Sequence, residues 1–403
     1  MKSFFLIIRT FNSQLRLILC AQALVGLGMG VFTVLLNIYL KSLGLNEGTI
    51  GRLLAAQALS SAIASFPFGR LADRYSRKAA YISGISLLTF GFFIAASVEK
   101  LDYLWFAAII SGCGNGGLTV SVLPFLQENS RRRQRTYLFS VNFSISLFMG
   151  ILAGFIAGWL PVIYLKFGLA DSLQNPVILR GTLFAAIVFL VASLIPASRM
   201  SAEKIEIKTD VDPGKTDVVA RAPWLLISKF MITYSLIGFG AGLIVPYFNL
   251  YFHDWTGATV PQIGMVFAIG QLGTALGGIF SPWFSKSIGL TNSVVLTEFL
   301  SLPFMLIMAY NHSLILCGAA FFFRGAFMNM AIPIRQRVLM ERIPPKFRGL
   351  ASASETASWS VSWAISMMVS GDMIQNLGYA FCLHTTFVLY LVSALLYWYY
   401  FRE

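Results

Sequence analysis

The sequence carries little charge for its length, and that shortage sets the class of protein. Only 12% of the 403 residues are Asp, Glu, Lys or Arg, whereas 57% are hydrophobic. Soluble domains carry roughly 25% charged residues, and the surface of a large soluble protein has to be solvated. The composition therefore excludes an ordinary soluble protein and predicts a polytopic membrane protein embedded in the lipid bilayer.

Cysteine and histidine are also scarce, with 4 and 3 copies in the whole chain. The cysteines lie far apart in apolar segments without CxxC spacing, and the histidines are scattered, so we expect neither a disulfide framework nor a metal site. The P-loop, HExxH and GxSxG patterns of soluble-type active sites are absent from the sequence as well. We therefore expect no enzyme activity, no metal and no cofactor.

What charge there is has one dominant sign, with 30 Lys and Arg against 17 Asp and Glu. The basic residues cluster in alternate connecting segments, as they do in the cytoplasmic loops of membrane proteins, so we expect no nucleic-acid binding. This asymmetry predicts that both termini are cytoplasmic, and we expect the plasma membrane of a bacterium. Among the predicted cytoplasmic bases are Arg70, Arg74, Arg77, Lys78, Arg131, Arg135, Lys286, Arg342, Lys346 and Arg348, and the opposite side has mainly Lys41, Lys100 and Lys166.

Apolar runs bounded by charged or turn residues predict twelve transmembrane helices. The one long polar stretch, residues 198–222, is interpreted as a cytoplasmic linker. It divides an N-terminal six-helix bundle, residues 1–197, from a C-terminal six-helix bundle, residues 223–403. The predicted spans are 15–40, 47–68, 79–98, 101–126, 137–160, 177–197, 223–252, 259–283, 291–310, 312–337, 349–372 and 377–400.

An internal repeat supports this division into two related halves. A glycine-rich run at 26–30 is followed by Asn37, and the same spacing recurs at 238–242, followed by Asn249. The glycines favour close packing of helices, which membrane proteins often achieve through small residues. For Asn37 and Asn249 two roles stay open: a hydrogen bond across the interface between the halves, or contact with a substrate.

The most informative motif is the charged turn at residues 69–78, between the second and third predicted spans. It resembles the signature loop of the major facilitator superfamily, G-x-L-x-D-R-x-G-R-[RK], with Ser76 where the family usually has Gly. The positions that match are Gly69, Leu71, Asp73, Arg74, Arg77 and Lys78.

The resemblance implies an all-α membrane protein, with twelve transmembrane helices in two pseudo-symmetric six-helix bundles around a central cavity. It further implies that Gly69, Asp73, Arg74, Arg77 and Lys78 form a cytoplasmic gate that joins the two halves in one transport state. The alternative is a positively charged loop that only fixes the topology.

Aligning the two halves shows where the second half carries charge inside the membrane. Asn115 on the fourth span corresponds to Arg324 on the tenth, and Asn142 on the fifth corresponds to Glu355 on the eleventh. A charge inside the bilayer needs a partner or a wet cavity. We therefore take these four residues as candidates for the substrate cavity, and a direct Arg324–Glu355 pair and a water or substrate between them both remain open.

Glu355 is the first candidate for proton coupling, since a carboxyl group that lines a cavity can exchange a proton. Glu298 on the ninth span is the second candidate, with a structural ion pair as the alternative. Trp359 and Trp363 follow Glu355 at helical spacing, so they form an aromatic stripe that either stacks on a substrate or packs in the core.

The sequence thus predicts a monomeric secondary active transporter that works by alternating access on a small-molecule substrate. We expect proton-coupled efflux, as an antiporter, of an amphipathic organic compound. One alternative is transport of an anionic metabolite, a sugar or a lipid-like anion, with Arg324 as the counter-charge. A second alternative is a membrane sensor that transports nothing.

Overall fold

A computed structural model describes residues 11–131, 134–201 and 223–402, and every regular element in these ranges is helical. Of the predicted linker, residues 202–222 lie outside the described part of the chain. The helices are α1 Ser13–Ser42, α2 Glu47–Arg74, α3 Arg77–Ser97, α4 Leu101–Glu128, α5 Arg135–Lys166, α6 Pro176–Ser198, α7 Trp224–Thr256, α8 Val260–Ile288, α9 Leu290–Tyr310, α10 Leu314–Arg342, and α11 and α12 within Arg348–Phe401.

Local sequence explains where several of these helices begin. The side chains of Asn12, Asn46 and Asn175 accept hydrogen bonds from the first free backbone amides of α1, α2 and α6. Amide and hydroxyl side chains are favoured at this position because the first amides of a helix lack an intrahelical partner. The turns between spans are therefore set by polar caps at the ends of long apolar runs.

Two breaks interrupt the last six spans. In α7 the α-helix ends at Ile244, a 3-10 turn runs over Val245–Tyr247 around Pro246, and the helix resumes at Phe248. Between α11 and α12 the chain stays helical except at Gly378, whose φ is 82°. This left-handed conformation suits glycine. The short loop predicted between the last two spans is therefore a single-residue kink.

Twelve spans result when the kink at Gly378 divides the last helix in two. By length and composition, ten helical stretches of the described chain qualify as membrane spans, and the last of them holds both α11 and α12. The helix that falls outside this group is α2, which carries Arg52, Gln57, Arg70 and Asp73. The predicted fold class is confirmed: a multi-pass, all-helical membrane protein.

The helices pack as two bundles that meet along two seams. In the first bundle, α1 packs against α5 and α6, and α4 packs against α2 and α3; in the second, α7 packs against Arg348–Phe401 and α10 against α8 and α9. Contacts between the bundles run mainly between α2 and α11 and between α5 and α8. The two halves therefore touch mainly along these two pairs of helices.

Candidate functional site

The loop at 69–78 holds a chain of charges at one end of the bundle, here called the signature-loop end. Arg77 Nη1 lies 2.6 Å from Asp73 Oδ1, and Arg77 Nε lies 3.0 Å from Glu128 Oε1 at the end of α4. Lys78 Nζ donates to the carbonyl of Ser198 at the end of α6, at 2.7 Å. All of these contacts lie within the first bundle, so the predicted joining of the two halves by this loop stays a prediction.

The departure from the family motif at Ser76 has a local explanation. Ser76 has extended backbone angles, with φ −166°, and its hydroxyl accepts a hydrogen bond from the amide of Ala79 at 3.0 Å. It therefore caps α3, and no left-handed conformation is needed at this position. Gly69 has no described atom within 4 Å of a Cβ built on it, and Arg74 is exposed.

At the other end of the bundle, here called the opposite end, ion pairs join the two halves. Lys41 Nζ on α1 lies 2.7 Å from Glu47 and 2.6 Å from Asp254, which belongs to α7 in the second half. Arg52 on α2 lies 3.5 Å from Asp372 on α11. These side chains are partly exposed, so each pair alone is a weak contact.

A buried amide pair strengthens this closure. Asn37 Nδ2 donates to Asn249 Oδ1 at 3.1 Å and to the carbonyl of Pro246 at 2.7 Å. Asn249 Nδ2 donates in return to the carbonyl of Val34 at 3.0 Å. The two side chains are only 4% and 1% exposed. Of the two roles left open by the sequence, the structure therefore supports the hydrogen bond between the halves.

Glycines let the backbones approach at the same end. A Cβ on Gly154 of α5 would lie 2.7 Å from the carbonyl oxygen of Gly264 on α8, and one on Gly158 would lie 3.0 Å from Pro261. A Cβ on Gly51 of α2 would lie 3.2 Å from Gly371 of α11. Both seams are thus closed at the opposite end.

At the signature-loop end the α5–α8 seam opens into a cavity of about 810 Å³. Its wall includes exposed faces of Phe143 and Phe148 on α5, together with Thr274 on α8 and Asn329 and Gln336 on α10. Among the described residues, no ionisable side chain lines it. The described residues that line it are Ser140, Phe143, Ser144, Leu147, Phe148, Ile151, Thr274, Ala275, Gly278, Ile279, Asn329, Ile332, Pro333 and Gln336.

The residues predicted to line a substrate cavity lie elsewhere. Asn115 donates to Ser61 on α2 at 3.1 Å, inside the first bundle. Trp359 and Trp363 stack on each other with ring centroids 4.9 Å apart, and both cover the glycine face of α7. Asn142 is half-buried on α5, beside the cavity-lining Phe143. None of these four side chains, nor Asn37, Asn249 or Arg324, contributes to the wall of the cavity.

Arg324 is buried among aromatic rings. Its guanidinium lies 4.8 Å from the ring centre of Phe248 on α7 and 5.8 Å from that of Phe321. It also interacts with the phenol of Tyr390 on α12. No acidic side chain of the described chain lies within ion-pair distance of it, and its Nε has no hydrogen-bond partner there. The direct Arg324–Glu355 pair is therefore not formed.

The partner of Glu298 is an arginine that the sequence analysis missed. Arg335 Nη1 donates to Glu298 Oε1 at 2.7 Å, with both side chains almost fully buried. Glu355 lies on the neighbouring helix α11, and its Oε1 is buried without a partner in the described chain. The predicted tenth span ends at 337, so Arg335 falls in its last turn, whereas α10 continues to Arg342. The eleven-residue spacing from Arg324 was the available signal, because it puts both arginines on one helix face.

Two bundles joined at one end and separated by a cavity at the other define the architecture of a membrane transporter. The sequence model of the Major Facilitator Superfamily matches residues 18–232 and 230–403, so the chain belongs to this family. It is a transporter of that superfamily. Its relatives are transporters and not enzymes.

Several known proteins are similar to it. The quinolone resistance protein NorA of Staphylococcus aureus is 24% identical over 274 residues, which cover 68% of this chain and 66% of that protein. The match therefore spans slightly less than two thirds of that relative. A point mutant of the nucleoside transporter NupG has the same fold, with a TM-score of 0.77, 14% identity, and coverage of 97% and 100% of the two chains. A bacterial homologue of the iron transporter ferroportin, in an inward-facing state, also gives 0.77, at 13% identity and coverage of 96% and 98%.

Proposed function

We propose that this transporter exports a small amphipathic organic compound and that protons drive the export. The observation that carries the proposal is the 810 Å³ cavity between the halves, whose lining combines aromatic rings, aliphatic groups and uncharged polar side chains. Such a lining suits a ligand with a large apolar surface and few polar groups. A charged ligand would lose its hydration in this cavity without gaining a counter-charge from the lining.

The similarity to NorA supports the same class of substrate. That relative is named for resistance to quinolones, and export is one way in which a membrane transporter gives resistance to a drug. Quinolones contain a flat aromatic ring system, and flat rings stack well on aromatic side chains such as Phe143 and Phe148.

The distribution of charge supports the orientation. Lys and Arg accumulate on the cytoplasmic side of membrane proteins, and the signature-loop end carries Arg70, Arg74, Arg77 and Lys78. We therefore assign this end and both termini to the cytoplasm of a bacterial cell. The arrangement described above is then the inward-open state. In the outward-open state, the loop at 69–78 closes the cytoplasmic side as the gate, and one chain suffices for this cycle.

We assign the role of proton carrier to Glu355 on α11. Its side chain is only 6% exposed, and one of its carboxyl oxygens has no hydrogen-bond partner in the described chain. A buried carboxylate without a counter-ion is unstable, whereas the protonated acid is not. Exchange of its proton with water at the signature-loop end couples transport to the proton gradient.

Transport by the purified protein in proteoliposomes tests this proposal. We expect an imposed pH gradient to drive accumulation of a fluorescent amphipathic dye or a quinolone. Glu355→Gln should abolish accumulation but keep downhill exchange, because only the coupling is lost. Phe143→Ala should raise the half-saturating concentration several-fold, whereas Phe106→Ala, equally exposed on α4 but outside the cavity, should not. Absence of flux for every compound would favour the sensor.

An anionic substrate is the second candidate, because Arg324 is a buried cation whose neighbours in the described chain are aromatic faces and a phenol, with no acid in ion-pair distance. A cation in this setting gains from an anion that enters the site. An organic acid, such as a sugar acid, offered in the same proteoliposomes separates the two candidates. Saturable flux of the acid that Arg324→Ala abolishes, with dye transport absent, would replace the first proposal by the second.

A further inference from the structure

Three ionisable side chains from three helices meet in the interior of the second bundle. Glu298 on α9 is 1% exposed, Arg335 on α10 is 2% exposed and Glu355 on α11 is 6% exposed. We call these three residues the buried triad. The inference drawn from them rests on the proposed proton coupling through Glu355 and concerns the two residues that act on it.

The guanidinium of Arg335 is held on several sides. Nη1 donates to Glu298 at 2.7 Å, and Nη2 donates to the hydroxyl of Thr233 on α7 at 2.9 Å. The ring centres of Tyr234 on α7 and Tyr397 on α12 lie 5.2 and 4.5 Å from it. Its Nε is buried and has no partner in the described chain. The Nε–H edge of the guanidinium thus remains available to a further acceptor.

Glu355 is the acid that lacks this contact. It interacts electrostatically with Arg335, but no ion pair within 4.0 Å joins the two in the described chain. Three phenols also interact with groups of the triad, those of Tyr234 on α7 and of Tyr390 and Tyr397 on α12, and phenols are neutral at physiological pH. Two further cations lie behind them, Arg324 beside Tyr390 and Arg342 beside Tyr397, and neither forms an ion pair with an acid of the triad in the described chain. The triad itself has two acids and one permanent cation.

The count of charges decides which acid carries a proton. If both acids were ionised, one buried carboxylate would have no cation of its own, which is strongly unfavourable. Glu298 already accepts a direct, charge-assisted hydrogen bond from Arg335. Glu355 is thus left as the acid that holds a proton in this state, and its ionisation depends on how closely Arg335 can approach.

We propose that Glu298 positions Arg335 away from Glu355, and that the position of Arg335 sets the pH at which Glu355 exchanges its proton with water. Glu298 and Arg335 are then positioning residues that act through Glu355. When Glu355 loses its proton to water, the carboxylate that forms is stabilised by the guanidinium, which stays protonated throughout. Helix movements that change the distance between α10 and α11 therefore change the affinity of Glu355 for its proton.

The proposal predicts opposite effects of the two positioning residues on the pH profile of proton-driven dye transport. Glu298→Gln frees Arg335 to approach Glu355, so the midpoint should move to lower pH by about one unit. Arg335→Gln removes the cation, so the midpoint should move to higher pH by a similar amount. Glu341→Gln is the matched control, because Glu341 pairs with Arg337 on the exposed face of the same helix, and it should leave the midpoint unchanged.

Infrared difference spectroscopy on the purified protein provides a readout that does not need transport. The carbonyl band of a protonated carboxylic acid should disappear in Glu355→Gln, and its pH midpoint should shift in opposite directions in Glu298→Gln and Arg335→Gln. Arg335→Lys, which keeps the charge, should restore most of the wild-type midpoint if Arg335→Gln proves unstable.

The outcomes separate this inference from the proposed function. If Glu355→Gln retains proton-driven accumulation, the coupling role of Glu355 is wrong and the inference falls with it. If Glu355→Gln is uncoupled but both positioning variants keep the wild-type midpoint, or shift it in the same direction, only the inference is overturned. Lower transport at every pH without a shift would mean that the triad is purely structural.

Discussion

At the scale of single residues, the reciprocal amide pair is the contact that most directly joins the two halves. Asn37 and Asn249 occupy equivalent positions of the internal repeat, and each one donates a hydrogen bond to the segment that carries the other. Amides do this without a charge, so opening the pair leaves no unpaired ion inside the membrane. Its place at the opposite end makes it a latch of that end.

We predict that Asn37→Ala and Asn249→Ala each loosen the opposite end by about 1–3 kcal/mol, because each change leaves buried polar groups of the partner unpaired. The double variant should cost less than the sum of the two, since both changes break the same pair. The rate of labelling of a cysteine at position 250, where Leu250 is fully buried, reports the opening in a cysteine-free background.

Asn115→Ala is the control for this experiment, because its hydrogen bond to Ser61 lies inside the first bundle. It should leave labelling at position 250 unchanged. Equal labelling rates in Asn37→Ala, Asn249→Ala and the parent protein would contradict the role of the pair as a latch.

At the scale of helices, the closed part of the α5–α8 seam depends on glycines that leave no room for a side chain. A Cβ on either Gly154 or Gly264 would meet the carbonyl oxygen of the other residue. Backbone atoms at such a contact cannot move aside as a flexible side chain can. The helices would have to separate instead.

We therefore predict that Gly154→Ala or Gly264→Ala opens the opposite end and lowers transport several-fold, since closure of that end is part of the cycle. The labelling assay at position 250 measures the opening, and proteoliposome flux measures the transport. Gly318→Ala on α10 is the control, because its Cβ would lie 3.5 Å from Val266, an ordinary contact. Wild-type labelling and flux in the two seam variants would show that this close approach is dispensable.

The helices themselves could be predicted well from the sequence, whereas their neighbours could not. Long apolar runs and polar caps identify helices locally, and the predicted all-helical, multi-pass fold was confirmed. The break at Val245–Tyr247 and the single-residue kink at Gly378 were not predicted. The cavity-lining residues Thr274, Asn329 and Gln336 were missed because their place follows from how α5 faces α8 and α10, which no local pattern encodes.

For the candidate site, too, the sequence identified important residues but not their contacts. The repeat singled out Asn37, Asn249, Arg324 and Glu355, and all four are buried. The hydrogen bond between Asn37 and Asn249 was one of the two roles considered in the sequence, whereas the surroundings of Arg324 and the partner of Glu298 were not foreseen. Arg324 is surrounded by aromatic rings, and the ion pair of Glu298 goes to Arg335, a residue outside the predicted set. Contacts between helices that are distant in the chain decide these partners.

At the scale of the whole molecule, the two halves are in contact at one end and apart at the other. Ion pairs, amides and glycine contacts hold the halves together at the opposite end, and the cavity separates them at the signature-loop end. Alternating access requires that this asymmetry reverse, so that one end closes as the other opens. The Asp73–Arg77–Glu128 chain lies within one half here, and our proposal assigns it to contacts with the second half in the reversed state.

Paired distances at both ends test this central claim most directly. Spin labels replace the exposed Tyr75 and Lys286 for the signature-loop end, and the exposed Asp171 and Ser313 for the opposite end. Pulsed electron paramagnetic resonance in proteoliposomes then follows both distances as pH and substrate are varied. The account predicts that the first distance shortens by several ångströms as the second lengthens. Two distances that stay fixed under conditions of active transport, or that change in the same direction, would contradict it.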